Sequence, residues 1–231
     1  MTDPEIVLTS IPAANPPVLT SVQAGPIAPL GPNAVPSAFV KRAVTGPVRV
    51  ARLGLEVDAQ ADRRVHGGLE KAVYAYPTAH YPAWAADFPE LASRFVHGGF
   101  GENLSIDGLT EADLCVGDVH AIGTVRLQVC QPRQPCFKLA LNFQNSRLPK
   151  AMVRNGRSGW YYRVLAPGTL QAGDAIQLVE RPLPDFPFTA LLDFLYSSDL
   201  QDHALERIAH TALVAGSLRS SARKALNERR F

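Results

Sequence analysis

Short apolar runs set off by glycine-led turns dominate residues 18–180, and they limit the fold more than any other feature of the chain. Gly117-Asp118 precedes Val119–Ile122, Gly123-Thr124 precedes Val125–Val129, and Gly173-Asp174 precedes Ala175–Val179. Runs this brief between turn formers read as strands, because a helix needs a longer uninterrupted period. Val18–Gln23, Ala38–Val44 and Val48–Leu53 have the same character. The spacing predicts a mainly β domain, a barrel or a sandwich. One helix interrupts it over Pro77–Phe88, where Tyr81, Trp84, Ala85 and Phe88 fall at helical spacing and Pro89 breaks the pattern.

The period changes after Arg181. Phe188, Leu191, Leu192, Leu195 and Tyr196 form a helical apolar stripe, Leu205, Ile208, Ala209 and Ala212 continue it, and Leu218, Ala222, Ala225 and Leu226 suggest a third helix. Residues 188–231 therefore read as a small three-helix subdomain behind a β domain at 18–181. The first 40 residues hold eight prolines and only two charged side chains, Asp3 and Glu5, so residues 1–17 read as a loose N-terminal segment.

Charge and cysteine content exclude several classes. Lys and Arg total 23 against 21 Asp and Glu, with no long basic run, which argues against a dedicated nucleic-acid binder. No apolar stretch is long enough to cross a bilayer, and Met1–Glu5 lacks the layout of a signal peptide, so the expectation is a soluble cytoplasmic protein. Cys115, Cys130 and Cys136 form neither a disulfide framework nor paired zinc ligands. No G-x-S-x-G elbow is present, and the glycines of His97–Leu104 lack the register of a dinucleotide fingerprint.

The densest chemical segment is Val129–Leu139, where a strand runs into a loop stiffened by Pro132 and Pro135 that presents Cys136. Arg133 and Lys138 flank this thiol, and neighbouring cations favour the thiolate needed for nucleophilic attack or metal ligation. Cys115 and Cys130 lie in or beside strands and read as core. In Asp62–Lys71, Gly67-Gly68 permits close backbone approach while Arg64, His66 and Lys71 supply cations or donors, so the loop either holds an anion or is a glycine turn with solvated charges. Glu102 and Asn103 either serve a ligand or form a turn. In Asn155–Val164, Trp160 and Tyr162 read as core and Arg157 as the exposed candidate.

Four separated motifs together carry a family resemblance: Arg64-Val-His-Gly-Gly-Leu-Glu-Lys-Ala-Val73, Gly101-Glu-Asn-Leu104, Gln131-Pro-Arg-Gln-Pro-Cys-Phe-Lys-Leu139 and Gly159-Trp-Tyr-Tyr162. In this order they resemble the MOSC superfamily, named for the molybdenum cofactor sulfurase C-terminal domain, and most closely its YiiM-like branch. The resemblance covers about Val18 to Glu180, and the helices from Phe188 resemble the three-α-helix appendage of that branch. It implies a β-barrel of the pyruvate-kinase barrel type with interspersed helices, and a bound molybdenum cofactor (molybdopterin). It also implies that Cys136 ligates molybdenum and that N-hydroxylated compounds such as hydroxylaminopurines are reduced to amines. Arg133, Lys138, Arg64, His66, Lys71 and Asn103 are the expected cofactor shell, with His66 also the expected proton donor because histidine titrates near neutral pH.

An iron–sulfur cluster generally takes four Cys-type ligands whereas this chain has three cysteines, and no flavin or haem motif is recognisable, so no internal electron relay is expected. Such a reductase therefore needs an external electron-donor protein of flavoprotein or ferredoxin type. The competing readings are a sulfur carrier with a Cys136 persulfide and a non-catalytic cofactor carrier.

Overall fold

The computed structural model describes residues 16–61, 67–197 and 200–229, so the expected loose segment lies outside the described residues up to residue 15. Its strands are β1 (Val18–Ala24), the hairpin β2 (Ala28–Leu30) and β3 (Val35–Ser37), β4 (Arg42–Ala43), β5 (Val48–Ala51), β6 (Gly54–Leu55), β7 (Val73–Pro77), β8 (Leu104–Asp107), β9 (Val119–Ile122), β10 (Val125–Pro132), β11 (Trp160–Ala166), β12 (Gly168–Leu170) and β13 (Ile176–Glu180). Its helices are α1 (His80–Asp87), α2 (Phe137–Phe143), α3 (Arg147–Asn155), α4 (Thr189–Tyr196), α5 (Asp202–His210) and α6 (Gly216–Arg229).

The main sheet has eight strands in the order β13-β9-β10-β11-β7-β8-β1-β4. Only the β7–β8 pair is parallel within it, and the chain between those strands carries α1 as the crossover that a parallel connection requires. The sheet curls onto itself: Val18 bridges Ala175, the Ile176 amide donates to the Pro17 carbonyl at 2.8 Å, and the Leu19 amide donates to the Asp174 carbonyl at 2.9 Å. This closure is the barrel that the turn spacing and the family resemblance anticipate. Leu19, Val22, Leu104, Ile106, Ile122, Leu127, Val129 and Trp160 fill it. Leu191, Leu205, Ile208, Leu218 and Leu226 of α4, α5 and α6 belong to the same buried cluster, so the C-terminal helices pack on the barrel wall.

A second cluster lies outside the barrel. Trp84 of α1, Phe95, Phe100, Leu139 and Phe143 of α2 and Met152 of α3 pack around Tyr74 and Tyr76 of β7. The Trp84 indole donates to the Tyr76 hydroxyl at 2.6 Å, which satisfies a buried N–H at the centre of the aromatic group.

Three local expectations need correction. Three helices, α1, α2 and α3, and not one, interrupt the β domain: α2 and α3 span only seven and nine residues, too few turns for their apolar spacing to stand out, and α1 starts at His80 because Pro77 still belongs to β7. Of Ala38–Val44 only Arg42–Ala43 is strand, because Ala38, Phe39 and Lys41 turn into a pocket at the barrel end instead of alternating across a sheet. Residues 137–139 are helix and not loop: Pro132 and Pro135 exclude helix only up to Cys136, which caps α2 in extended backbone at φ −120°. Leu139 and Phe143, one turn apart, then bury the helix against the aromatic cluster. Among the described residues no helix is long and apolar enough to cross a membrane.

Candidate functional site

One pocket at an end of the barrel gathers side chains from segments far apart in the chain. β7 contributes Tyr74, the approach to β8 contributes Asn103, and β11 contributes Tyr161. β10 ends at Pro132 and delivers Arg133, the start of α2 brings Cys136 and Lys138, and the 3₁₀ turn Leu69–Lys71 brings Lys71. Phe39, Lys41, Asp58 and Phe100 complete the walls. Five of the residues singled out by sequence, Cys136, Arg133, Lys138, Lys71 and Asn103, thus share one pocket. Arg64 and His66 lie outside the described residues.

Arg133 is the unusual member. It is 4% exposed, yet its guanidinium meets no carboxylate among the described residues. Nη1 approaches the Met152 sulfur at 3.1 Å, a weak acceptor, and the guanidinium carbon stands 5.7 Å from the Tyr74 ring centroid and 5.9 Å from that of Phe39. Its main chain is held by the Gly159 carbonyl, which accepts the Arg133 amide at 3.3 Å. A buried cation in this state is costly unless a ligand supplies the anion.

The cationic character extends around the walls, where Lys41, Lys71, Arg133 and Lys138 face a single carboxylate, Asp58, among the described lining residues. Asp58 is already committed: it accepts from Lys41 Nζ at 2.5 and 2.6 Å, from Asn103 Nδ2 at 2.8 Å and from the Gly25 amide at 2.9 Å. Burial lowers the pKa of Lys41 against the opposing pull of Asp58. Burial likewise lowers that of Lys71, opposed by Cys130, Cys136 and Glu70. Burial pushes the Tyr161 hydroxyl up to about 12, with Arg133 acting in the opposite direction. Lys138 Nζ donates to the Pro36 carbonyl at 3.3 Å, tying α2 to the β2–β3 hairpin.

Asn103 is a brace as well as a lining residue. Its Oδ1 accepts the Tyr74 amide at 3.1 Å while Nδ2 donates to Asp58, so it fixes the wall between β7 and the segment bearing Asp58. Glu102 is structural. Fully buried, it accepts the Tyr81 hydroxyl at 2.6 Å and the amides of Gly98 and Phe100 at 2.7 and 3.0 Å. Arg157 is paired with Asp87 at 2.7 Å and lies over the Trp84 ring, so it too is structural. Trp160 and Tyr162 are core, as their pattern indicates, and Cys115 and Cys130 are buried. Sequence reasoning missed Lys41, Asp58, Phe39, Tyr74, Phe100 and Tyr161. The aromatic pairs Tyr74/Tyr76 and Tyr161/Tyr162 were the available signal, whereas nothing local marked Lys41 or Asp58.

The family model for the MOSC domain matches residues 62–177, half of the chain, and the chain belongs to this family. As a family, MOSC domains are associated with molybdenum-cofactor binding. Protein YiiM of Escherichia coli K12 is 46% identical over 150 residues, which cover 65% of this chain and 67% of YiiM. Uncharacterized protein YflK of Bacillus subtilis is 36% identical over 188 residues, covering 81% of this chain and 83% of YflK. A protein named Reductase from Gibberella moniliformis is 40% identical over 180 residues, covering 77% of this chain and 32% of that much longer protein. The crystal structure of YiiM from Geobacillus stearothermophilus superposes with a TM-score of 0.78 at 34% identity, covering 91% of this chain and 100% of that one. The Escherichia coli YiiM crystal structure gives 0.75 at 31% identity, covering 93% and 92%.

Proposed function

We propose that this protein holds a molybdenum cofactor in the pocket, with the Cys136 sulfur as metal ligand, and reduces N-hydroxylated compounds to amines. The observation that carries the reading is the buried guanidinium of Arg133, without a carboxylate among the described residues, in the same pocket as Cys136 and the lysines. The donor set fits such a group: a soft thiolate suits molybdenum, and a phosphate and a pterin call for cations, amide donors and aromatic walls. When bound, the cofactor supplies two-electron oxygen-atom chemistry. The overall change is R–NHOH plus two electrons and two protons giving R–NH2 and water, with the electrons drawn from an external flavoprotein or ferredoxin-type donor.

The residues of the chain have separable roles in this reading. Arg133 and Lys138 would neutralise the anionic part of the cofactor, Lys71 would add charge from the 3₁₀ turn, and Asn103 holds β7 and the Asp58 segment in register. Tyr74 and Tyr161, with ring centroids 5.2 Å apart, offer flat apolar walls that exclude water. His66 is assigned the proton donation. His66→Ala is then expected to lower turnover several-fold more than it lowers molybdenum content, and equal losses would remove that role.

The test is molybdenum per chain, by elemental analysis, in protein made by a cofactor-producing host. Near-stoichiometric metal is expected in the wild type and less than about a tenth of it in Cys136→Ser, together with hydroxylamine reduction that tracks the metal. Absence of metal from both proteins, with cyanide-labile sulfur present on Cys136, would replace the reductase by a sulfur carrier.

A further inference from the structure

We infer that Glu70 is a positioning residue: it anchors the Lys71 wall of the pocket to the first turn of α6, which makes the C-terminal helices a structural part of the site. The consequence for ligand binding rests on the anion-holding reading of the pocket. Lys71 closes the 3₁₀ turn Leu69–Lys71, its amide donating to the Gly68 carbonyl at 3.1 Å. Gly68 enters the turn at φ 87°, where an L side chain would be strained. So short a 3₁₀ segment is weakly held by its own backbone, and the contacts of its middle residue decide where it sits.

That residue is Glu70, and three elements converge on it. Its carboxylate accepts the Gly216 amide at 2.8 Å on Oε2 and 3.1 Å on Oε1, and Arg163 Nη2 of β11 at 2.7 Å. Its carbonyl accepts Gln131 Nε2 of β10 at 2.8 Å and the Cys130 thiol at 3.2 Å. Arg163 extends the tie by donating to the carbonyls of Leu213 at 2.8 Å and Val214 at 3.3 Å, just ahead of α6. The Ala215 amide completes it by donating to the Cys130 carbonyl at 3.1 Å.

Glu70 and Gly216 are 146 residues apart in sequence, so this contact links distant parts of the fold. The carboxylate also satisfies an otherwise orphaned amide at the start of a helix, where negative charge is favoured. A partly exposed ion pair adds little stability by itself. What it fixes is geometry: with Glu70 turned toward α6, the adjacent Lys71 lines the pocket.

The full chain is compared with Glu70→Ala, Glu70→Gln, Lys71→Met and the Glu70→Ala/Lys71→Met double variant, using hydrogen exchange and calorimetric titration with inorganic pyrophosphate. In Glu70→Ala, exchange over residues 69–73 is expected to accelerate about tenfold, and pyrophosphate affinity to fall about tenfold. Glu70→Gln keeps an acceptor for the Gly216 amide and restores most of both. Lys71→Met weakens pyrophosphate to a similar degree, and adding Glu70→Ala to it brings no further loss, because the two act on one contact. Unchanged exchange at residues 69–73 in Glu70→Ala overturns the inference, as does a full Glu70→Ala effect on affinity in the Lys71→Met background. Failure of pyrophosphate to bind the wild type counts against the anion-holding pocket, while the exchange data still decide the anchoring.

Discussion

Replacing Arg133 with Met is expected to leave the cofactor-free fold at least as stable as the wild type while removing its ability to retain an anionic ligand. The side chain is 4% exposed and meets only the Met152 sulfur and two aromatic faces among the described residues. Cation–π contacts return about 1 kcal/mol each, well short of the several kcal/mol that desolvating an uncompensated charge demands. Met keeps the stem and discards the charge, so a gain of about 1 kcal/mol in the unfolding free energy of the cofactor-free protein is expected from denaturant titration. Ligand binding changes the other way. Two charge-assisted hydrogen bonds at about 1.5–3 kcal/mol each correspond to a loss of roughly two orders of magnitude or more in affinity for a phosphate-class anion, and to loss of molybdenum on purification. Arg133→Lys preserves the charge but not the planar fork, and should fall between the two. A cofactor-free Arg133→Met protein destabilised by more than about 2 kcal/mol would show the guanidinium to be a structural cation and not a ligand-binding one.

The trade-off explains why part of the site was legible in the sequence. Arg133, Cys136 and Lys138 are neighbours in one proline-framed segment, so their chemistry is concentrated before folding begins. Lys71 and Asn103 stand near glycines that mark tight backbone, Gly67-Gly68 and Gly101. Lys41 and Asp58 were not legible, because Lys41 stands in a run that reads as an ordinary strand, Asp58 follows the patterned run Val48–Leu53, and they acquire meaning only through their mutual contact. The same holds for Glu70, whose carboxylate finds its partner at Gly216 only after the C-terminal helices have docked. β1, β5, β9, β10 and β13 were readable as short apolar runs between turn formers, whereas no expectation covered β7 and β8, the parallel pair beside the pocket. α2 was hidden by two prolines that end just ahead of it, and the seven residues of Phe137–Phe143 give too few repeats for a helical period to stand out.

His120 sets a pH dependence that belongs to the barrel and not to the pocket. It is 2% exposed on β9, its Nδ1 lies 2.6 Å from the Tyr162 hydroxyl, and burial depresses its pKa from 6.5 to about 4, with Asp118 opposing and Arg181 reinforcing the shift. Between those values the unfolded chain binds a proton that the folded chain refuses, so stability rises with pH across the window. The contribution is fully present above pH 6.5 and is lost as pH falls through about 4. A displacement of that size corresponds to on the order of 3 kcal/mol. Glu102 works in the opposite sense: burial raises its pKa, against hydrogen bonds from Tyr81, Gly98 and Phe100, so its contribution weakens as pH rises through its folded value. The two are separated by differencing the wild type against His120→Gln, which retains a polar partner for Tyr162. The wild type is expected to lose on the order of 3 kcal/mol more than the variant between about pH 7 and pH 4 in denaturant titrations. Parallel stability curves for the two proteins would mean that His120 is protonated within the fold, and that Asp118 compensates its burial.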